Sequence, residues 1–195
     1  SRVVEVGTII GTTSTTYDQW TETITDTAGN DKEMEYDAFA RLVKVTENNG
    51  VSSFDTDYIW DDKDNLTKIT DAEGNVRNIT YDGLNRRLTL EDLHDTADTS
   101  FGEWSFSYDD VGNLASTTNP ENQTINYTYD SINRVLTEDY VGDAGTEAVY
   151  TYDSCTNGIG FLCLVVNANA TSSYVYTPNG LVSSEDKIVS GTTYT

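Results

Sequence analysis

The sequence predicts an all-β protein built as an array of short antiparallel β-hairpin repeats. A Tyr-Asp motif recurs along the chain, turn-forming clusters fall between its copies, and the segments between these marks alternate polar with apolar or aromatic side chains. Only 36% of the 195 residues are hydrophobic, and Thr, Tyr and Val are frequent. This composition favours strands with half-wet faces and predicts almost no helix.

The main motif is an aromatic residue followed by a turn of five residues. One version reads YDAFARL, YDGLNRRL and YDSINRVL, and a sister version reads WDDKDNL and YDDVGNL. Successive copies are 24, 21, 27, 21, 23 and 24 residues apart, so the period is near 23. The copies begin at Tyr36, Trp60, Tyr81, Tyr108, Tyr129, Tyr152 and Tyr176. The acidic residue that follows in six copies is Asp37, Asp61, Asp82, Asp109, Asp130 and Asp153.

A second turn motif, D-x-x-G-N, falls between these copies. It occupies residues 26–30 and 71–75, where Asp71 and Gly74 mark it, and a variant occupies residues 119–123. The Asp supplies a side-chain acceptor, and the fourth residue tolerates the left-handed backbone region. In the Tyr-Asp copies we expect the same slot at Asp64, Asn85, Gly112, Asn133 and either Asn179 or Gly180, with Ala40 as the exception.

The segments between turns, such as residues 75–81 and 123–129, alternate as half-buried strands do. Each unit therefore has two strands and two turns and is too small to bury its own apolar face, so neighbouring units must pair to complete it. The long stretch from Glu91 to Glu103 is predicted to be an extended hairpin loop.

Charge excludes one class of partner. With 33 acidic and 11 basic side chains the net charge is -22, which repels nucleic-acid phosphates. We expect no cofactor and a solvated acidic surface, although adventitious calcium on neighbouring Asp residues is left open. The segment 61–65 resembles the start of a calcium loop but lacks the later Gly and Glu ligand positions. No apolar run reaches the roughly 20 residues of a membrane span.

No residue is assigned a catalytic or metal-binding role. The single histidine, His94, lies in a polar insertion predicted to be a loop tip, and the repetition of carboxylates at one place in each unit favours turn hydrogen bonding over a catalytic pair. Cys155 and Cys163, eight residues apart, either form a bridge across a hairpin or remain free. Zinc is not expected, since two thiolates need further ligands.

The alternation of Y-D-x-x-G-R-L and Y-D-x-x-G-N-L with D-x-x-G-N turns resembles the YD-repeat or Rhs-repeat family over residues 34–183. Residues 1–33 are predicted to be a degenerate leading repeat and residues 34–195 one continuous repeat domain. The resemblance implies a curved or spiralling sheet, as in the hollow shells of bacterial Rhs and toxin-complex proteins and in teneurins. Trp60 in place of Tyr and Pro178 depart from the pattern.

The function predicted from this resemblance is structural and non-enzymatic. We expect a wall or stalk segment of a large secreted or cell-surface protein, with the remainder of that protein as partner; the missing N-terminal Met and signal segment also suggest a processed form or a fragment. One alternative is a glycan-binding module using a row of exposed tyrosines, although we favour packing of these tyrosines across strands into a ladder. Another is a fibre subunit that self-associates through open strand edges. The tyrosines of the first alternative are Tyr108, Tyr127, Tyr129, Tyr150 and Tyr152.

Overall fold

A computed structural model describes residues 2–8, 11–189 and 191–194 of the chain. These residues form eighteen strands and no helix. No helix in these ranges could therefore cross a membrane. The strands divide between two compact units, residues 1–103 and residues 104–195. The predicted boundary between residues 33 and 34 lies inside a strand.

In the first unit the strands are β1 (Arg2–Thr8), β2 (Gly11–Asp18), β3 (Thr21–Thr25), β4 (Asp31–Tyr36), β5 (Leu42–Asn48), β6 (Ser53–Trp60), β7 (Leu66–Thr70), β8 (Val76–Tyr81) and β9 (Arg87–Glu91). The second unit begins one residue into β10. Its strands are β10 (Glu103–Tyr108), β11 (Leu114–Thr118), β12 (Thr124–Tyr129), β13 (Val135–Tyr140), β14 (Ala148–Tyr152), β15 (Leu162–Asn167), β16 (Ala170–Tyr176), β17 (Val182–Val189) and β18 (Thr192–Tyr194).

Within each unit every strand pairs antiparallel with the next along the chain. This meander is the arrangement that the regularly spaced turn motifs predict. The all-β fold of antiparallel hairpin repeats expected from the sequence is confirmed.

A β-bulge occurs at every copy of the main motif. In the first described copy Tyr36 pairs with Leu42 while Glu35 pairs with Lys44, so one residue, Val43, is extra. Because a bulge interrupts the ladder of hydrogen bonds, it leaves backbone groups without a partner on the neighbouring strand. The register shifts in the same way before Trp60, Tyr81, Tyr108, Tyr129, Tyr152 and Tyr176.

The hydrophobic core is thin. No described side chain has a relative exposure below 2%, and no described polar residue is buried. The buried apolar residues among those described are Val45, Val76, Ile79, Ala148, Cys163 and Tyr176. Since these positions are scattered over both units, contacts between neighbouring repeats must carry much of the stability.

The segment between β9 and β10 is the predicted long loop, but it is not a free loop. His94 and Val76 exchange backbone hydrogen bonds of 2.7 and 3.0 Å, and the His94 ring stacks on Phe101 with centroids 3.8 Å apart. The His94 side chain is only 8% exposed. The prediction that His94 lies at a loop tip is therefore wrong, because an isolated bridge draws it back onto the strand end at Val76.

Candidate functional site

The turn after each aromatic residue is closed by the Asp that begins it. In the turn from Asp37 to Arg41, the Asp37 N–H donates to the Arg41 carbonyl at 2.9 Å and the Ala40 N–H donates to the Asp37 carbonyl at 2.9 Å. Asp37 Oδ1 accepts the N–H groups of Phe39 and Arg41, each at 2.9 Å, and Oδ2 accepts Arg41 Nε at 2.7 Å. One carboxylate thus satisfies three donors, and this fixes the turn.

The two turn motifs of the sequence share this single geometry. In both motifs, Oδ1 of the first Asp accepts the N–H groups of the residues two and four positions later. Its Oδ2 accepts a hydrogen bond from the side chain of the residue four positions later. Besides Asp37, the carboxylates that do so are Asp26, Asp61, Asp71, Asp82, Asp109 and Asp130.

The fourth residue of each turn has a positive φ, between 61° and 99°. Ala40 adopts it too, at 61°, although a Cβ is unfavourable there. In the last copy Gly180, not Asn179, takes this position. The positions are Gly29, Ala40, Asp64, Gly74, Asn85, Gly112, Asn122, Asn133 and Gly180.

Two turns achieve the same closure without a carboxylate. Asn119 Oδ1 accepts the N–H groups of Glu121 and Gln123 at 3.0 and 2.9 Å, while its Nδ2 donates to Gln123 Oε1 at 2.8 Å. Thr177 Oγ1 accepts the Leu181 N–H at 3.1 Å. An oxygen acceptor, not a negative charge, is therefore what the turn requires.

These hydrogen bonds hold the turn carboxylates ionised. The pKa of Asp61 lies below its ordinary value of 3.8, first because the Asn65 amide and then because the Asn65 N–H donate to it. The pKa of Asp82 is lowered first by the Arg86 N–H, with burial opposing the shift. A carboxylate held in this way cannot serve as a general acid near neutral pH.

In five of the seven copies the aromatic side chain donates a hydrogen bond to a carbonyl of the preceding copy. Tyr129 Oη donates to the Leu114 carbonyl at 2.9 Å, and this carbonyl belongs to the residue that Tyr108 pairs with at the bulge. Trp60 does the same through its indole Nε1–H, which donates to the Leu42 carbonyl at 2.8 Å. The same bond joins Tyr81 to Leu66, Tyr152 to Val135 and Tyr176 to Leu162.

A second link joins turn to turn. Arg41 donates to the Asp61 carbonyl at 2.9 Å and to Asp64 Oδ1 at 2.8 Å, one repeat further on. Where the donor is Asn, its amide reaches the fourth residue of the next turn: Asn65 Nδ2 to Asn85 Oδ1 at 3.1 Å and Asn113 Nδ2 to Asn133 Oδ1 at 3.0 Å. Within each unit, described repeats are thus joined through both their strands and their turns.

The copy at Tyr152 departs from the five-residue turn. The Asp153 N–H donates to the Phe161 carbonyl at 3.1 Å, so the loop closes eight residues on. A disulfide joins Cys155, in this loop, to Cys163 in β15. Asp153 Oδ1 accepts the Gly160 N–H at 2.7 Å. The sequence left this pairing open, and the structure joins the two cysteines.

The tyrosines that the glycan-binding alternative would use are half-buried. Tyr150 Oη donates to Glu138 Oε1 at 2.8 Å, and burial, with that carboxylate, raises the pKa of Tyr150 to about 12. The half-buried rings agree with packing across strands and not with the open rings that the glycan-binding alternative needs. Strand alternation gives the face of a side chain but not how closely neighbouring strands cover it, so the sequence alone left both possibilities open. The other four are Tyr108, Tyr127, Tyr129 and Tyr152.

The segment that resembles a calcium loop is an ordinary turn of this kind. The Asp61 carboxylate accepts three intra-turn donors, and Asp64 is paired with Arg41. No group of three or more His, Cys, Asp or Glu side chains in the described ranges is placed to hold a metal ion.

Sequence reasoning missed the bulge and the aromatic-to-carbonyl bond that depends on it. The available signal was the constant spacing from the motif Asp to the following Leu or Val, five residues in most copies, for example Asp61 to Leu66 and Asp109 to Leu114. A hydrophobic contact alone would tolerate a variable spacing between these residues, so the constant spacing indicates a fixed backbone geometry.

Comparison with known proteins gives one family and several similar folds. The family described as teneurin YD-shell matches residues 12–183. A solved TcdB2-TccC3-Cdc42 structure has a TM-score of 0.72 at 13% identity, covering 92% of this chain and 10% of that chain. A Photorhabdus luminescens Tc holotoxin pore structure has a TM-score of 0.70 at 12% identity, covering 92% and 10%. The chain thus spans about a tenth of these structures' chains. A search of curated proteins found no match.

Proposed function

Because the chain belongs to the teneurin YD-shell family, we propose that it is a non-catalytic wall segment of a large exported shell protein. The observation that carries this proposal is the double link between repeats. Tyr129 completes the backbone of the repeat before it, and Asn113 holds the turn of the repeat after it. Side chains used in this way hold neighbouring repeats of the second unit together.

The edge of the sheet supports the same proposal. The third residue of the turn after the aromatic is apolar and largely exposed in four copies, two in each unit. In a wall, further rows of the parent protein would cover these apolar tips. The tips are Phe39, Leu84, Val111 and Ile132, with exposures of 78%, 74%, 72% and 65%.

The glycan-binding alternative has lost its main support. It needs flat, open tyrosine rings, but the hydroxyls of Tyr129 and Tyr152 are occupied by backbone carbonyls and the rings are half-buried. The remainder of the parent protein is the partner that we propose, together with an extracellular toxin-complex or surface location. The similarity to Tc toxin structures supports this proposal.

Light scattering on a sizing column, with calcium and with chelator, tests the proposal. A wall segment should run as a monomer near 21.5 kDa under both conditions. If the chain self-associates, Leu84→Ser together with Ile132→Ser shows whether the apolar tips are the cause, since both substitutions shorten exposed side chains at turns and should then restore the monomer. Filaments would overturn the wall function in favour of a fibre subunit, and calcium-dependent mass would make the acidic turns a binding site.

A further inference from the structure

One joint in the second unit is built differently from the others. The loop from Asp153 to Phe161, between β14 and β15, contacts the repeats on both of its sides. Towards the preceding repeat, Asp153 binds the Arg134 guanidinium through both carboxylate oxygens, at 3.1 and 2.7 Å. The ring of Tyr152 lies 4.2 Å from the Arg134 Cζ and supports this pair.

Towards the following repeat, the loop contacts both the backbone and the ring of Tyr176. The Tyr176 N–H donates to the Thr156 carbonyl at 3.1 Å, and Asn157 Nδ2 donates to the Tyr176 carbonyl at 2.8 Å. The Phe161 ring stacks on the Tyr176 ring with centroids 4.7 Å apart. Tyr176 is 9% exposed and belongs to the thin core, so these contacts hold one of its few buried members.

The disulfide sets the shape of this loop. Gly158 is buried against it, and a Cβ at Gly158 would lie 2.3 Å from Cys155 Sγ and 2.6 Å from Cys163 Sγ. The Cys155 N–H also donates to Cys163 Sγ at 3.0 Å. The loop is thus folded directly over the sulfur atoms. Two separate thiols need more room than a bonded pair, so they could not occupy this space without moving the backbone at Thr156 and Asn157.

We propose that the Cys155–Cys163 disulfide is a redox-sensitive clasp, whose reduction by a small thiol loosens residues 153–181 while the rest of the array stays folded. The loop closed by the disulfide is short, so its effect is concentrated on the local structure and not on the whole chain. The contacts with Arg134 and Tyr176 weaken together because both depend on one loop shape.

The chemistry is ordinary thiol–disulfide exchange. Cys155 is partly exposed and Cys163 is 3% exposed, so an incoming thiolate attacks Cys155 Sγ. The S–S bond breaks, Cys163 leaves as a thiolate and takes a proton, and a second small thiol resolves the mixed disulfide on Cys155. Two small thiols are oxidised to one disulfide, and their two electrons reduce the cysteine pair to two thiols.

The clasp matters for a protein that passes between compartments. Disulfides persist outside cells and are reduced in the cytosol. A wall fastened in oxidising surroundings would therefore loosen at this joint on meeting a reducing one. This use rests on the proposed wall function, whereas the local loosening does not.

Hydrogen exchange followed by mass spectrometry tests the clasp on the full chain. We expect dithiothreitol to speed amide exchange about tenfold or more in peptides from 153–181, and to leave peptides from 36–91 unchanged. The double variant Cys155→Ser, Cys163→Ser should match the reduced protein without dithiothreitol and show no response to it. Unchanged exchange after full reduction, or no reduction under native conditions, overturns the clasp.

A glycine pair separates loop shape from cysteine chemistry. Gly158→Ala should loosen the same peptides even under oxidising conditions, because the added methyl group meets both sulfurs. Gly83→Ala is the matched control, since a Cβ there meets nothing within 4 Å and its φ is not positive. Wild-type exchange in Gly158→Ala, or cooperative unfolding of residues 104–195 on reduction, contradicts a local clasp. Neither result bears on the mass measurement that tests the wall function.

Discussion

Arg134 joins two successive repeats, because its guanidinium binds Asp130 in its own turn and Asp153 in the next. The Arg134 Nε to Asp130 Oδ2 distance is 2.6 Å and the Nη2 to Asp153 Oδ2 distance is 2.7 Å. The hydrogen bonds from Arg134, followed by that from the Gly160 N–H, lower the pKa of Asp153 to about 2. The charge of Asp153 is therefore better stabilised in the folded chain than in the unfolded chain.

This shift predicts an acid-sensitive contribution to stability. A carboxylate whose folded pKa is lowered stabilises the fold above its unfolded pKa, near 4, and that contribution disappears as the pH falls through the folded value near 2. Asp153→Asn should therefore lower the urea midpoint of the chain at pH 6 and lose this difference between pH 4 and pH 2. A difference that stays constant over that range would contradict the assignment to Asp153 ionisation.

The aromatic link predicts a measurable loss on deleting a single oxygen. Tyr129→Phe removes the donor to the Leu114 carbonyl and should lower the free energy of unfolding by about 1 kcal/mol. Tyr127→Phe is the control on the same strand, since the hydroxyl of Tyr127 has no hydrogen-bond partner among the described residues. Equal losses in the two variants, measured by urea unfolding, would show that the Leu114 bond contributes nothing specific.

The left-handed alanine predicts a stabilising substitution. Ala40 has φ 61°, where a Cβ is unfavourable, so Ala40→Gly should raise the free energy of unfolding by about 0.5–1 kcal/mol after the entropy of an unfolded glycine is subtracted. Ala38→Gly in the same turn has no positive φ to relieve and should be destabilising. Thermal unfolding of both variants checks the sign, and a destabilised Ala40→Gly would refute the argument.

The turn acceptor predicts a rank order at Asp82. Asp82→Asn keeps an oxygen for the N–H groups of Leu84 and Arg86, as Asn119 does in its own turn, whereas Asp82→Ala leaves both donors without it. We expect the urea midpoint to fall in the order wild type, Asp82→Asn, Asp82→Ala. Exchange of the Arg86 amide should follow the same order. Equal losses in Asp82→Asn and Asp82→Ala would mean that the charge matters and the acceptor oxygen does not.

The repeating parts of the fold could be predicted from the sequence because each depends on residue types close together in the chain. Asp71 and Gly74 predict a turn, because a side-chain acceptor is followed three positions later by a residue that tolerates a positive φ. The structure has that turn. The same reasoning placed Gly112 and Asn133 in equivalent slots, where both have positive φ.

The remaining features depend on register and packing between strands, which local patterns do not specify. The bulge at Tyr129 shows only when β12 and β13 are paired. The partner of the Tyr129 hydroxyl lies 15 residues away in the preceding repeat. The loop after Tyr152 has no five-residue turn signal, so its contacts with Tyr176 could not be inferred.

The backward bond from Tyr129 to Leu114 also bears on synthesis by the ribosome. The hydrogen-bond donor for the Leu114 carbonyl is synthesised 15 residues after Leu114. At ordinary elongation rates of about 5–20 residues per second, this synthesis takes about 1–3 s. In the five copies that form this bond, a repeat stays incomplete until the next aromatic residue has been made. Folding at these copies therefore advances in one direction, one repeat behind translation.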